Sequence, residues 1–175
     1  VAGPDVVVLT AADGAIAECE LPFPPRTAPL VEHVLIPRRV GVLLVRLGGY
    51  AAGVFEGREL VASKVGSRQV HGRSAAGGQS QQRFARRREG QARVALGAAA
   101  DNAARILVPA APRLDAVVVG GDRSAVDAVL TDRRLAPLLP LLTGRFLDVP
   151  EPRLKVLQST PDLFRAVRIR LVEPS

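Results

Sequence analysis

Val40–Lys64 reads VGVLLVRLGGYAAGVFEGRELVASK, and this stretch decides the fold class. It divides into three β-like runs, Val40–Leu47, Tyr50–Phe55 and Glu59–Lys64, with Gly48-Gly49 and Glu56-Gly57 at the two turns between them. Short apolar and β-branched runs punctuated by glycine predict an antiparallel meander. The chain then changes character. Val65–Gly78 has no periodicity and carries Gly66, Gly72, Gly77 and Gly78 with Ser67 and Ser74, which predicts a loop of about fourteen residues. Loops of that length inside a domain are uncommon, and they tend to be functional. From about Ser80 to Leu107 the sequence reads as one long helix. Phe84, Gln91, Ala95, Ala98, Ala99 and Ile106 fall on or near one face, and no proline intervenes before Pro109. Gly90 and Gly97 weaken that helix slightly.

Downstream, Leu114–Val119 is a continuous apolar run that predicts a buried strand, followed by Gly120-Gly121-Asp122 and a helix from about Ser124 to Leu130. Asp132–Leu142 reads as helical but disturbed by Pro137 and Pro140, and Arg145–Val149 and Ala166–Val172 read as strands. Arg153–Phe164 has no clear pattern. Upstream, Val6–Thr10 and Ala15–Glu20 flank an Asp13-Gly14 turn signal and predict a hairpin. Leu21-Pro22-Phe23-Pro24-Pro25 can be neither helix nor inner strand and serves as an extended connector. A meander followed by β-α-β-α predicts an α/β fold, a mixed β-sheet covered by helices. The whole of Val1–Ser175 is expected to form one unit, with the hairpin and proline-rich connector occupying residues 1–36. Val1 in place of a starting Met is consistent with a trimmed N-terminus.

At 175 residues the chain suits one ordinary domain, and its 47% apolar content excludes a disordered polypeptide. A lone cysteine, Cys19, excludes an intrachain disulfide and fits a reducing compartment such as the cytoplasm. It reads as a small core residue, and His33 as structural. No Cys/His cluster suggests zinc, and no run approaches the roughly 20 apolar residues that span a bilayer. We therefore expect no cofactor, no metal and no membrane partner, and a monomer.

The charge is local. Between Lys64 and Arg93 stand eight cations and one anion, Glu89, a surplus of seven that equals the formal charge of +7 for the whole chain. Sixteen cations and sixteen anions remain elsewhere. The cluster is therefore a local device and not a means of general solubility.

Gly77-Gly78-Gln79 closes the long loop just as the long helix begins. Paired glycines allow close backbone approach to another molecule. A glutamine held at such a tip offers a backbone N–H to a developing oxyanion and a side-chain amide that can orient water. No nucleophile with an adjacent base is evident, so the loop suits positioning and not covalent catalysis. The tripeptide alone favours a plain flexible glycine hairpin or helix-entry loop. Its neighbours point further: Arg83, Arg86, Arg87 and Arg88 lie in the first turns of the helix, where cations cost about 0.3–1 kcal/mol each against the macrodipole. An arginine cluster at a helix N-terminus is a receptacle for phosphate, and the partner it predicts is RNA. His71 is read as a loop hydrogen-bonding residue or an RNA contact. Gly120-Gly121-Asp122 lacks the spacing of a nucleotide-binding turn and is read as a strand-to-helix connection.

His71-Gly72-Arg73, Gly77-Gly78-Gln79-Ser80 and Arg83-Phe84-Ala85-Arg86 together resemble the middle domain of the archaeal and eukaryotic class I translation release factors. In that family the loop reads HGRGGQS and runs into a helix containing RFAR. The order of meander, loop, long helix and buried strand is also similar, so the resemblance covers roughly Val40 to Val149. Ser74-Ala75-Ala76 is inserted between the HGR and GGQ elements, and no stretch resembles the codon-reading or GTPase-contacting domains. The longer stretch from Ser74 to Gln91, SAAGGQSQQRFARRREGQ, is closer to the Vms-type release-factor-like proteins of ribosome quality control, particularly the stand-alone actinobacterial members. The zinc-finger, ankyrin and segregase-binding regions of the eukaryotic members have no counterpart in this sequence.

The resemblance implies a peptidyl-tRNA hydrolase that acts on the large ribosomal subunit, with the loop entering the peptidyl-transferase centre beside the tRNA CCA end. It implies catalytic roles for Gln79, Gly78 and Gly77, and RNA contacts for Arg68, His71, Arg73, Ser80, Arg83, Arg86, Arg87 and Arg88. Two other readings stay open: a nuclease acting on the tRNA 3′ end, and a ribosome-binding module without catalysis. If about five arginines contact phosphate, the log–log dependence of RNA affinity on salt has an expected slope on the order of −3 to −4. Titration of the protein onto large subunits across a salt series measures it, and a slope near zero would contradict the assignment.

Overall fold

The computed structural model describes residues 5–67 and 80–172, with backbone alone at 80–82 and 84. The first half contains β1 (Val6–Thr10), β2 (Ile16–Glu20), α1 (Leu30–Leu35), β3 (Arg39–Arg46), β4 (Gly49–Glu56) and β5 (Glu59–Ser67). The second contains α2 (Ser80–Ile106), β6 (Ala116–Gly121), α3 (Arg123–Leu130), β7 (Leu142–Leu147), α4 (Leu154–Ser159), α5 (Pro161–Phe164) and β8 (Arg168–Val172). Short 3-10 helices cover Ala111–Arg113 and Arg133–Leu141. Among the described residues no helix is long and apolar enough to cross a membrane.

A five-stranded sheet runs in the order β5-β4-β3-β6-β7. β3 lies at its centre, antiparallel to β4 and parallel to β6, with Leu43 opposite Ala52 on one side and Val119 on the other. A central strand covered on both faces must be apolar at every position, which is why Val42-Leu43-Leu44-Val45 is an unbroken run. Successive side chains alternate between two cores. Leu43, Val45, Ala52, Val54, Val117 and Val119 face α2, α3 and the Arg133–Leu141 helix, meeting Ala99, Ala103, Leu107, Val126, Leu135 and Leu138. Val40, Val42, Leu44, Ala51, Phe55 and Val118 face the other way, toward Leu157 of α4 and Phe164 of α5. There the Phe55 and Phe164 rings meet edge to face at 5.6 Å, and Phe23 of the connector completes the stack at 6.1 Å from Phe164. Full burial of each such ring contributes about 1.5–3 kcal/mol. The expected mixed sheet covered by helices is this three-layer body.

The first hairpin does not join that sheet. β1, β2 and β8 form a separate antiparallel sheet with β2 in the middle. Its last pairing matches acid to base: Glu18 opposite Arg170 and Glu20 opposite Arg168 in the ladder, each an ion pair. Arg145 of β7 fastens this sheet to the body. Its guanidinium is almost fully buried, donates to the carbonyls of Leu163 and Ala166, and lies 3.8 Å from Glu20. Burial pushes that guanidinium below its ordinary value, and nearby Arg168 pushes the same way while Glu20 opposes.

Several element boundaries depart from the expectations. β7 begins at Leu142 instead of Arg145, because its bulged ladder pairs Leu142 with Val117 and Phe146 with Val119, so two steps of β6 span four of β7. Two prolines, Pro137 and Pro140, turn the expected helix after Asp132 into a 3-10 helix, which Asp132 caps through the Arg134 N–H at 2.9 Å. The patternless Arg153–Phe164 stretch holds the short helices α4 and α5, and α1 also escaped the periodicity, since His33 is its one buried residue. His33 is structural as read. Its Nε2 lies 3.1 Å from the Pro22 carbonyl, and its Nδ1 accepts from the Thr27 N–H at 3.3 Å, which locks the connector onto α1. Cys19 is buried in β2, as expected of a core residue.

Gly120-Gly121-Asp122 is a strand-to-helix connection. Gly121 has φ +104°, and a Cβ there would overlap the Val45 carbonyl oxygen. Asp122 then caps α3, accepting from Ser124 Oγ at 2.6 Å and Ala125 N at 2.9 Å, and these bonds hold its carboxyl below the usual range. Gly121→Ala is expected to lower the unfolding free energy by about 3 kcal/mol through strain and overlap. Gly97→Ala, on an exposed helix turn with open space around it, is expected to raise it by about 0.5–1 kcal/mol. Urea unfolding midpoints for the two variants measure both signs.

Candidate functional site

β5 delivers the chain out of the sheet at Ser67, and α2 takes it up again at Ser80. Residues 68–79, with Arg68, His71, Arg73, Gly77, Gly78 and Gln79, lie outside the described residues, as does the side chain of Ser80. The expected long helix is present, and it begins immediately after Gln79. Its arginines therefore stand where the sequence put them, Arg83 in the first turn and Arg86, Arg87 and Arg88 in the two turns after it. No acidic residue occupies the first turn to offset them.

Among the described residues, the helix is fixed only at its far end. Ala95, Ala99, Ala100, Ala103 and Leu107 are buried against the sheet, and they recur at helical spacing. Toward the N-terminus the contact stops. Gln91 and Ala92 are half-buried, and Arg83 and every residue from Ala85 to Gly90 are exposed. The fifteen residues from Ser80 to Val94 span about 22 Å at the helical rise of about 1.5 Å per residue. α2 thus projects its N-terminal half, and with it the attachment of Gln79, away from the body. Its rooted half is braced by Arg134, which reaches Asp101 of α2 at 2.7 Å and Asp132 at 2.7 Å. Hydrogen bonds from the Arg134 side chain and N–H hold Asp132 down to about 2.

Charge pairing divides the molecule in the same way. Every ion pair among the described residues lies in the body, where part of the arginine set meets carboxylates: Arg39 with Glu56 at 3.1 Å, Arg46 with Asp148 at 3.6 Å, Arg58 with Asp162, and Arg168 and Arg170 with Glu20 and Glu18, while others such as Arg113 and Arg153 form no such pair. Among the described residues, no carboxylate pairs with Arg83, Arg86, Arg87, Arg88 or Arg93. Exposed pairs are worth little to stability, about 0–1 kcal/mol each, so the contrast concerns partners and not folding. The projecting half of α2 presents a surplus of positive charge with no acceptor among the described residues. Arg93, exposed on the same helix, belongs with the four arginines named from the sequence; its place in the charge run was the signal for it.

Enclosed ligand chemistry is not what this end of the molecule offers. Alongside α2 runs an open groove of about 530 Å³ over Ala92, Leu96, Gly97 and Val129. Among the described residues no group of three or more His, Cys, Asp and Glu could hold a metal ion. The arrangement suits an extended anionic partner laid along a helix.

Residues 38–170 match the family described as Actinobacteria/chloroflexi VLRF1 release factor. None of the curated proteins matches the chain. Among solved structures, the archaeal translation termination factor aRF1 is similar with a TM-score of 0.54 and 19% identity, over 85% of this chain and 46% of its own. A structure described as an archaeal protein has a TM-score of 0.48 and 19% identity, over 86% of this chain and 48% of its own. The chain spans about half the length of these two structures. At such identity the likeness to aRF1 shows the fold alone, and that fold is the mixed α/β arrangement described above. The family match covers three quarters of the 175 residues, and the chain belongs to the Actinobacteria/chloroflexi VLRF1 release-factor family.

Proposed function

We propose that the chain is a peptidyl-tRNA hydrolase of ribosome rescue, acting in the cytoplasm on peptidyl-tRNA held by the large ribosomal subunit. The observation that carries this reading is the projecting half of α2, whose Arg83, Arg86, Arg87 and Arg88 pair with no carboxylate among the described residues and which starts at the residue after Gly77-Gly78-Gln79. A helix N-terminus with surplus arginine draws RNA phosphates to itself. An RNA partner seated there lies beside the glutamine. Membership of a release-factor family supports a ribosomal partner, and in this reading that partner is ribosomal RNA of the peptidyl-transferase centre with the CCA end of the tRNA.

In this reading Arg68, Arg73, Arg83, Arg86 and Arg87 hold phosphates, with His71, Ser80 and Arg88 in the same contact zone. Gly77 and Gly78 let the backbone approach the ester closely. The Gln79 side-chain amide places a water for attack on the ester carbonyl carbon, and its backbone N–H stabilises the departing 3′ oxygen. The C–O bond to the ribose breaks, the 3′ oxygen takes up a proton as a hydroxyl, and the peptide leaves with a free carboxylate. The catalysis is positional and electrostatic, and no covalent enzyme intermediate forms.

Single-turnover release of a labelled peptide from large-subunit–peptidyl-tRNA complexes, with the tRNA sized afterwards, tests this. The parent is expected to release peptide and leave the tRNA intact, and Gln79→Ala to slow release by about two orders of magnitude or more. Shortened tRNA would replace the hydrolase with a nuclease. Equal release by parent and variant would leave an RNA-binding module.

A further inference from the structure

The chain leaves the sheet through the end of β5 and returns through α2, and one side chain stands where both are fixed. Tyr50 of β4 lies directly opposite Gly66 in the ladder. A Cβ at Gly66 would overlap the Cζ, Oη and Cε2 atoms of the Tyr50 ring, so the ring lies over the backbone one residue before β5 ends. Only glycine leaves room for it. Tyr50 shares its sheet face with Ala52 and Val54, and it packs, half-buried, against the core cluster that contains Ala99, Ala100 and Ala103 of α2. Both β4 and β5 contact α2. Tyr50 is the single tyrosine of the sequence, and the other residues of β4 on its face, Ala52 and Val54, are small. A rigid ring at that point packs at once on the end of the departing strand and on the core cluster that includes α2.

We propose that Tyr50 is a positioning residue for peptide release: its ring, seated on Gly66 and against the α2 core, sets the spacing of the two chain ends that carry Gly77-Gly78-Gln79. This rests on the hydrolase reading above. Twelve residues, 68–79, join those ends. The separation and direction of their anchors decide where Gln79 stands relative to the arginines that bind RNA. Tyr50 acts through Gly66 and α2, not on the substrate. Its loss therefore falls on the chemical step, because misplacing a catalytic group by about 1 Å costs up to about a hundredfold in rate. Binding, which depends on the α2 arginines, is left as it was.

Two measurements test this. In single-turnover release with protein titrated in excess, Tyr50→Ala is expected to lower the maximal rate by roughly tenfold to a hundredfold at an unchanged half-saturating concentration. Gly66→Ala, whose Cβ displaces the ring, is expected to do the same, and Tyr50→Phe to behave as the parent. Tyr50→Leu, which keeps apolar packing, serves if Tyr50→Ala no longer unfolds cooperatively, and it is expected to lose rate in the same way. Independently of activity, spin labels at Ala76→Cys and Gly97→Cys in a Cys19→Ala background report the distance from the segment to the root of α2. That distance is expected to shift in Tyr50→Ala and Gly66→Ala and to hold in Tyr50→Phe. Unchanged distances, or full release by Tyr50→Ala, would overturn the role of Tyr50. A parent that releases no peptide although the distances shift would overturn the hydrolase reading instead.

Discussion

The close seating of α2 on the five-stranded sheet is the constraint from which the rest of the structure follows. Ala95, Ala99 and Ala103 recur every fourth residue along the helix, and the strand residues below include Ala52 and Val54. Small side chains on the helix let it pack closely against the larger residues of the strand face, Leu43, Val45 and Val119 among them. Alanines bury little apolar area, so the seam depends on Leu107 at its inner end and on the charged brace through Asp101, Arg134 and Asp132. A helix held this way needs only its second half. Its first half is released from packing and can carry a composition that no core would accept.

That division explains where the charge went. Arginine in the opening turns of a helix opposes the peptide dipole, and the structure supplies no carboxylate to offset it among the described residues. The ion pairs among the described residues all lie in the body, across strands and between helices. What sets the first half of α2 apart is the density of its arginines, five between Arg83 and Arg93 against the single acid Glu89.

Much of this was legible in the residues. The meander declared itself through glycine turns at Gly48-Gly49 and Gly57, and α2 through alanine periodicity uninterrupted by proline. Of the arginine cluster, Arg83, Arg86, Arg87, Arg88 and Arg93 stand exposed on α2, while Arg68 and Arg73 lie outside the described residues. Long-range pairing was the part that did not show. Glu18 and Glu20 alternate with apolar residues just as Arg168 and Arg170 do, and their ladder joins strands about 150 residues apart with no local signal to connect them. The short helices α1, α4 and α5 run four to six residues, less than two full turns, too few for a periodicity to be counted. The fit between Tyr50 and Gly66 was equally hidden: each is an ordinary strand residue until the register sets one on the other.

The geometry of α2 is that of a lever with a short seat and a long arm. Over an arm of about 22 Å, a tilt of about 5° at the alanine seam moves the tip by about 2 Å. That is comparable to the difference between a reacting and a non-reacting approach of two atoms. Angular play that an ordinary surface helix would absorb harmlessly is amplified here at the N-terminal end of α2. Substitutions among the buried alanines therefore shift that end as well as altering stability.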